Sequence, residues 1–178
     1  MPQLSRMLFA VLSAALLVAG CGTDRYKNCP SASVIVDTSV ATVFKVPDAP
    51  PDPSNILYTV DVSGVTSQCD VDKDVLNSQS SVDIALRATR APNGGAVHYK
   101  VPYFVAISQG DRLLAKKVYV AEFSFEPGQT TVDFSESVNN VDVSAGRDKK
   151  TFDYVILVGL QLTRKQLEYN RASGRLNP

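Results

Sequence analysis

Apolar side chains recur at every second position through most of this chain, and no long stretch carries helical spacing. Successive side chains of a strand point to opposite faces of a sheet, so this period predicts half-buried β-strands and argues against a helical bundle. Val34 and Val36, then Val40, Thr42, Phe44 and Val46, read as one strand broken near Asp37. The next stretch, 46–55, holds four prolines that cannot donate ladder hydrogen bonds; it reads as an extended crossing between two sheets. Residues 56–66 form a strand and 67–80 a polar loop. Val82, Ile84, Leu86 and Ala88 then alternate with Asp83, Ala85, Arg87 and Thr89. Asn93-Gly94 separates this segment from the alternating run Val97 to Ile107, the residue pair that favours a two-residue hairpin. Gly110-Asp111 predicts a second tight turn into Leu113–Phe125, and Pro127-Gly128 a type II turn into Val132–Phe134.

Residues 152–162 are apolar on both faces, as a central strand would be. Thr163 with Gln166 three positions later forms a capping box, and Gly174 supplies the stop, so a helix is expected over 164–172. The expected fold is all-β: an antiparallel sandwich of seven or eight strands with a short C-terminal helix, immunoglobulin- or fibronectin-III-like in architecture. With 178 residues, 44% of them hydrophobic, the chain is long enough for one well-filled core, here assigned to 32–178. Lys and Arg balance Asp and Glu at 18 each, which leaves no basic footprint for nucleic acid.

The N-terminus is of another kind. Arg6 precedes the apolar run Met7 to Ala19, and small residues at 19 and 20 lead to Cys21. Thirteen residues at ~1.5 Å each reach about 20 Å, too short for a ~30 Å hydrocarbon core. The string Leu17-Val18-Ala19-Gly20-Cys21 resembles the lipobox of bacterial lipoproteins. That resemblance implies a signal peptide over 1–20, removal of it before Cys21, and a diacylglycerol on the Cys21 thiol. It further implies a lipid-anchored protein of the bacterial cell envelope, with 21–31 as lipidated start and tether. Gly22 in place of Asp departs from the inner-membrane retention signal and favours the outer membrane, facing the periplasm. The rest of the chain resembles envelope lipoproteins of uncharacterised function, a likeness that assigns no functional residue. A tether of ten residues averages roughly 5–6 Å × √10, near 18 Å, which would keep the domain close to the bilayer.

With Cys21 given to lipid, Cys29 and Cys69 remain. In an oxidising compartment they would pair; two separate buried thiols are the alternative.

Few residues offer chemistry. Asp70, Asp72 and Asp74 open like a calcium loop, but the sixth and twelfth places hold Val75 and Ser81 instead of Gly and Glu. The segment reads as a solvated acidic loop or a weak calcium site. His98 is the single imidazole and belongs to no catalytic motif; no nucleophile elbow, Walker or dinucleotide pattern occurs, and no metal or cofactor is implied. If the Asn93-Gly94 hairpin pairs 87 with 100 and 89 with 98, then Arg87, Thr89, His98, Lys100 and Phe104 share one face. Such a basic patch beside an aromatic could dock an anionic head group, a glycan or a partner. The same residues also suit a solvated face whose charges deter edge aggregation. Residues 114–125, apolar on both faces, suggest either an exposed groove or a bulge at Lys116-Lys117. These features point to a non-catalytic envelope protein that binds a protein partner, with a ligand-binding module for lipid, glycan or cation as alternative and a hydrolase third.

Overall fold

A computed structural model describes residues 28–47, 49–92 and 94–174. The leader, Cys21 and Asn93 lie outside the described residues. Among the described residues, eight strands form two four-stranded sheets packed face to face. In the first, β1 (Ser31–Val34), β8 (Val155–Leu160), β5 (Val97–Gln109) and β6 (Arg112–Phe125) lie in that order. In the second the order is β2 (Val40–Phe44), β3 (Ile56–Val71), β4 (Asn77–Arg90) and β7 (Thr131–Ser144). All pairings are antiparallel except β1 with β8. One helix, α1 (Arg164–Ala172), follows, and the expected sandwich with a short C-terminal helix is present.

Alternation builds the core directly. Val82, Ile84, Leu86 and Ala88 are buried while Asp83, Ala85, Arg87 and Thr89 face water. Val101, Phe125, Ile156, Val158 and Leu160 meet them from the opposing sheet, each at most 2% exposed. Around Tyr58, Tyr99, Phe123 and Phe134 the interior is aromatic, with Phe123 stacked on Phe134 at 4.8 Å. β8 lies between β1 and β5, which explains its two apolar faces. Gly110 takes φ 55° in the two-residue turn that joins β5 to β6, and Gly128 takes φ 76° after Pro127. The Thr163–Gln166 box caps α1 as expected, and Gly174 follows the helix at φ 65°.

Four connections differ from the sequence expectation. The segment read as one broken strand is two strands in different sheets, β1 and β2, switched by a 3-10 turn over Val36–Thr38. The proline stretch therefore crosses nothing: it returns β2 to its neighbour β3, and Asn55 closes its base through two side-chain bonds to Val46. The polar 67–80 segment is mostly strand; only 72–76 is turn. Ser78 and Ser80 face inward there, so a small polar residue stands where an apolar one would have signalled a strand. Finally, β4 and β5 do not form a hairpin. β4 is occupied on both sides by β3 and β7, so the chain passes to the other sheet. Arg90 secures this crossing by donating to the carbonyls of Gly94, Gly95, Glu126 and Gln129 at 2.7–3.2 Å.

Cys29 and Cys69 form a disulfide with Cα atoms 5.8 Å apart. It fastens the incoming chain to β3 just before β1, and the Thr151 hydroxyl donates to the Asn28 carbonyl at 2.7 Å.

Candidate functional site

The two long flanks of the sandwich are built differently. On the β1/β2 flank, α1 packs against β2, with Phe44 edge-on to Tyr169 at 5.2 Å. Its side chains satisfy the strand's free carbonyls: Gln166 donates to Thr42 and Asn170 to Val40. Arg171 pairs with Asp37, and Lys165 donates to the carbonyls of Pro47 and Ala49. This edge is covered.

The β6/β7 flank has no such cover among the described residues. Both of its strands are fourteen residues long, each paired on one side only. Ala121, Phe123 and Phe125 bury the second half of β6, but 112–118 is exposed on both faces. There the sheets part and leave a cleft of about 330 Å³. Val105, Ile107 and Val141 form an apolar floor, while Lys116, Lys117, Asn139, Asn140 and Asp142 stand around it. A bulge helps shape it: β7 carries one extra residue against β4, with Asn139 and Asn140 opposite Ser81, and Asn140 sits at φ 59°. The bulge keeps Val138, Val141 and Val143 all buried while displacing the amides outward.

A row of contacts crosses the interior behind the cleft. The Lys117 ammonium lies 5.1 Å from the centre of the Tyr119 ring, which stacks on Tyr103 at 5.4 Å. The Tyr103 hydroxyl donates to Glu136 on β7 at 3.2 Å. Burial first, and then the Glu136 charge, push the Tyr103 phenol above its ordinary range. An inward-pointing lysine on an edge strand also opposes sheet-to-sheet aggregation. The cleft thus offers a cation, amides, a carboxylate and an apolar floor beside free strand edges, a composition suited to binding an extended polypeptide or a polar ligand.

The residues expected to form one basic patch are separated. Arg87 stands on the outer face of the second sheet, bidentate to Asp133 at 2.7 and 3.2 Å. His98 and Lys100 are on the outer face of the first sheet, where Lys100 meets Glu122 at 2.5 Å. Phe104 is 5% exposed, beneath the Lys116 ammonium at 4.0 Å. The shared face depended on the β4–β5 hairpin and falls with it. The bulge of β6 lies at Leu113–Ala115, opposite Ile107 and Ser108, and not at Lys116-Lys117.

His98 has a neighbourhood that sequence spacing did not reveal. Its Nδ1 is 3.0 Å from the Ser124 hydroxyl and its Nε2 is 3.2 Å from Glu122. The cross-strand partners 98/124 and 100/122 place them together. Lys100, and less strongly His98, hold the Glu122 carboxyl below its usual range. Both His98 and Glu122 are about half exposed, where water screens them, whereas acyl transfer needs a water-poor site with oxyanion donors.

The acidic segment is likewise taken up by structure. Asp72 accepts from the backbone N–H groups of Leu76 and Asn77 and from the Asn77 amide, at 2.7–3.1 Å, and closes the β3–β4 turn. Asp70 lies on β3 and Asp74 in the turn. Among the described residues, no three His, Cys, Asp or Glu side chains cluster as a metal site would require. No family model, no curated protein and no solved structure matches this chain.

Proposed function

We propose that this protein is a lipid-anchored, periplasm-facing, non-catalytic lipoprotein that binds a protein partner in cell-envelope assembly, secretion or maintenance, held to the membrane through Cys21. The observation that carries the binding role is the asymmetry of the two flanks. One sheet edge is covered by α1, while among the described residues nothing covers the β6/β7 edges, beside a cleft and with Val118 and Val120 about half exposed. Free edge groups next to apolar side chains are what an added strand or extended segment uses. The lipobox-like leader supports the anchor, the Gly22 position supports the outer membrane, and a disulfide is at home in an oxidising compartment.

A photo-crosslinking residue placed at Val118 or Val120, in cells at native expression, tests the partner. A discrete adduct from these positions, absent from Thr66 on the opposite sheet, is the expected result. Recovery of nothing beyond the bait would contradict it.

The cleft itself favours a second reading, a ligand-binding module. Asn139, Asn140, Asp142 and Lys117 could hydrogen-bond a glycan or lipid head group beside Tyr119. A ligand at 100 times its dissociation constant adds about 2.7 kcal/mol of stability, so a thermal-shift screen distinguishes the two readings.

A further inference from the structure

We infer that the end of the sandwich formed by 72–76, 110–114 and 145–153 docks on the phospholipid surface of the membrane that holds Cys21, an inference that rests on the lipid anchor proposed above. The topology gathers these segments. β3 ends and β4 begins there; β7 ends, β8 begins, and the β5–β6 hairpin turns at the same end. The incoming chain is fixed there too, by Asn28 against Thr151, by Cys29 on Cys69, and by Ser31 beside Val155.

Chain length then limits the geometry. Among the described residues the first such contact is at Asn28, six residues and seven Cα–Cα steps beyond Cys21. Fully extended, those seven steps span at most about 25 Å. The sandwich is much longer: the sixteen residues of β3, at ~3.3 Å each, cover about 50 Å. A lipid on Cys21 would therefore keep this end, and no other, beside the bilayer.

The side chains at this end fit that neighbour. Eight large apolar residues are exposed among the described residues, four of them valines elsewhere in the fold. The other four are Leu76, Leu113, Leu114 and Phe152, 40–57% exposed, and all lie here. Leu76 and Phe152 flank the bonded pair Val75 and Thr151, whose N–H donates to the Val75 carbonyl at 3.0 Å. Val75 itself has φ 58°, uncommon for a β-branched residue, in the turn closed by Asp72. Strain of this kind persists only where surroundings impose it, and the next residue, Leu76, is 40% exposed. Charges at this end are mixed, Lys73, Lys149 and Lys150 interleaving with Asp74, Asp148 and Asp153. The contact is therefore apolar, with leucine and phenylalanine entering the head-group boundary.

The chain has no tryptophan, so one introduced indole reports a single position. The mature lipidated protein carrying Phe152→Trp is reconstituted into phosphatidylethanolamine/phosphatidylglycerol vesicles, with and without spin-labelled lipid. Leu113→Trp serves as second probe and Val46→Trp, at the far end, as reference. Blue-shifted emission, about halved by spin-labelled lipid, is expected at Phe152→Trp and Leu113→Trp and not at Val46→Trp, as for tryptophan in an interfacial belt. Vesicles without phosphatidylglycerol should give the same quenching; dependence on that lipid would overturn the apolar contact. Protein that floats with vesicles yet shows no quenching at either probe, or equal quenching at Val46→Trp, overturns the docking and leaves the anchor standing. Protein that fails to float overturns the anchor, and the docking with it.

Discussion

Asn170 is fully buried on α1, and its amide accepts from Thr42 and donates to the Val40 carbonyl at 2.7 Å. Removing it strands the buried Thr42 hydroxyl and the part-buried Val40 carbonyl, so Asn170→Ala should cost about 1–3 kcal/mol by chemical denaturation. Ser80 is the opposite case: its hydroxyl is buried with no hydrogen-bond partner among the described residues. Ser80→Ala should therefore raise stability by up to ~1 kcal/mol, a gain of about 2–4 °C in Tm for a domain of this size. Acid stability depends on Asp72, whose carboxyl is held below its ordinary value first by the Asn77 amide and then by the Leu76 N–H. Asp52, Glu122 and Asp133 are lowered in the same direction. Because the folded values are depressed, their contribution is complete above the ordinary carboxylate range, near pH 4, and disappears as pH falls through the lowered values. In a Tm-against-pH series, Asp72→Asn should start lower at neutral pH and lose less on acidification than the parent.

At the scale of elements, Gly159 on β8 is a constraint that sequence alone did not advertise. A Cβ there would stand 2.1 Å from the Thr38 hydroxyl and 2.8 Å from the Phe104 ring. Gly159→Ala should cost about 1–3 kcal/mol, by displacing the Val36–Thr38 turn that switches sheets. The Cys29–Cys69 bridge closes 40 residues, so Cys69→Ser should cost about 4 kcal/mol in the chain-entropy account. Strands, the Gly110 and Gly128 turns and the helix cap were legible because each has a local cause: a period, a positive φ, a reciprocal side-chain bond. Which strands pair was not. Alternation looks the same whether a strand joins its predecessor or crosses to the other sheet, and Gly94 stands at a crossing held by Arg90. For the same reason the cleft went unread, since Lys117 and Asn140 meet only through two sheets and a bulge. The apolar faces of 114–125 were its one visible trace.

For the whole molecule, the proposed anchor, the covered flank and the open flank divide the labour. One end would sit at the bilayer with the cleft just above it, and β6 and β7 would extend beyond, presenting the edge around Val118 and Val120 to the water layer. Every part of that arrangement depends on what happens at Cys21. Mass spectrometry of the N-terminal peptide, from protein made in its own host, tests it most directly. The account predicts a chain that begins at Cys21 and carries diacylglycerol on its sulfur. A free Cys21 thiol, or residues 1–20 still attached, would contradict it.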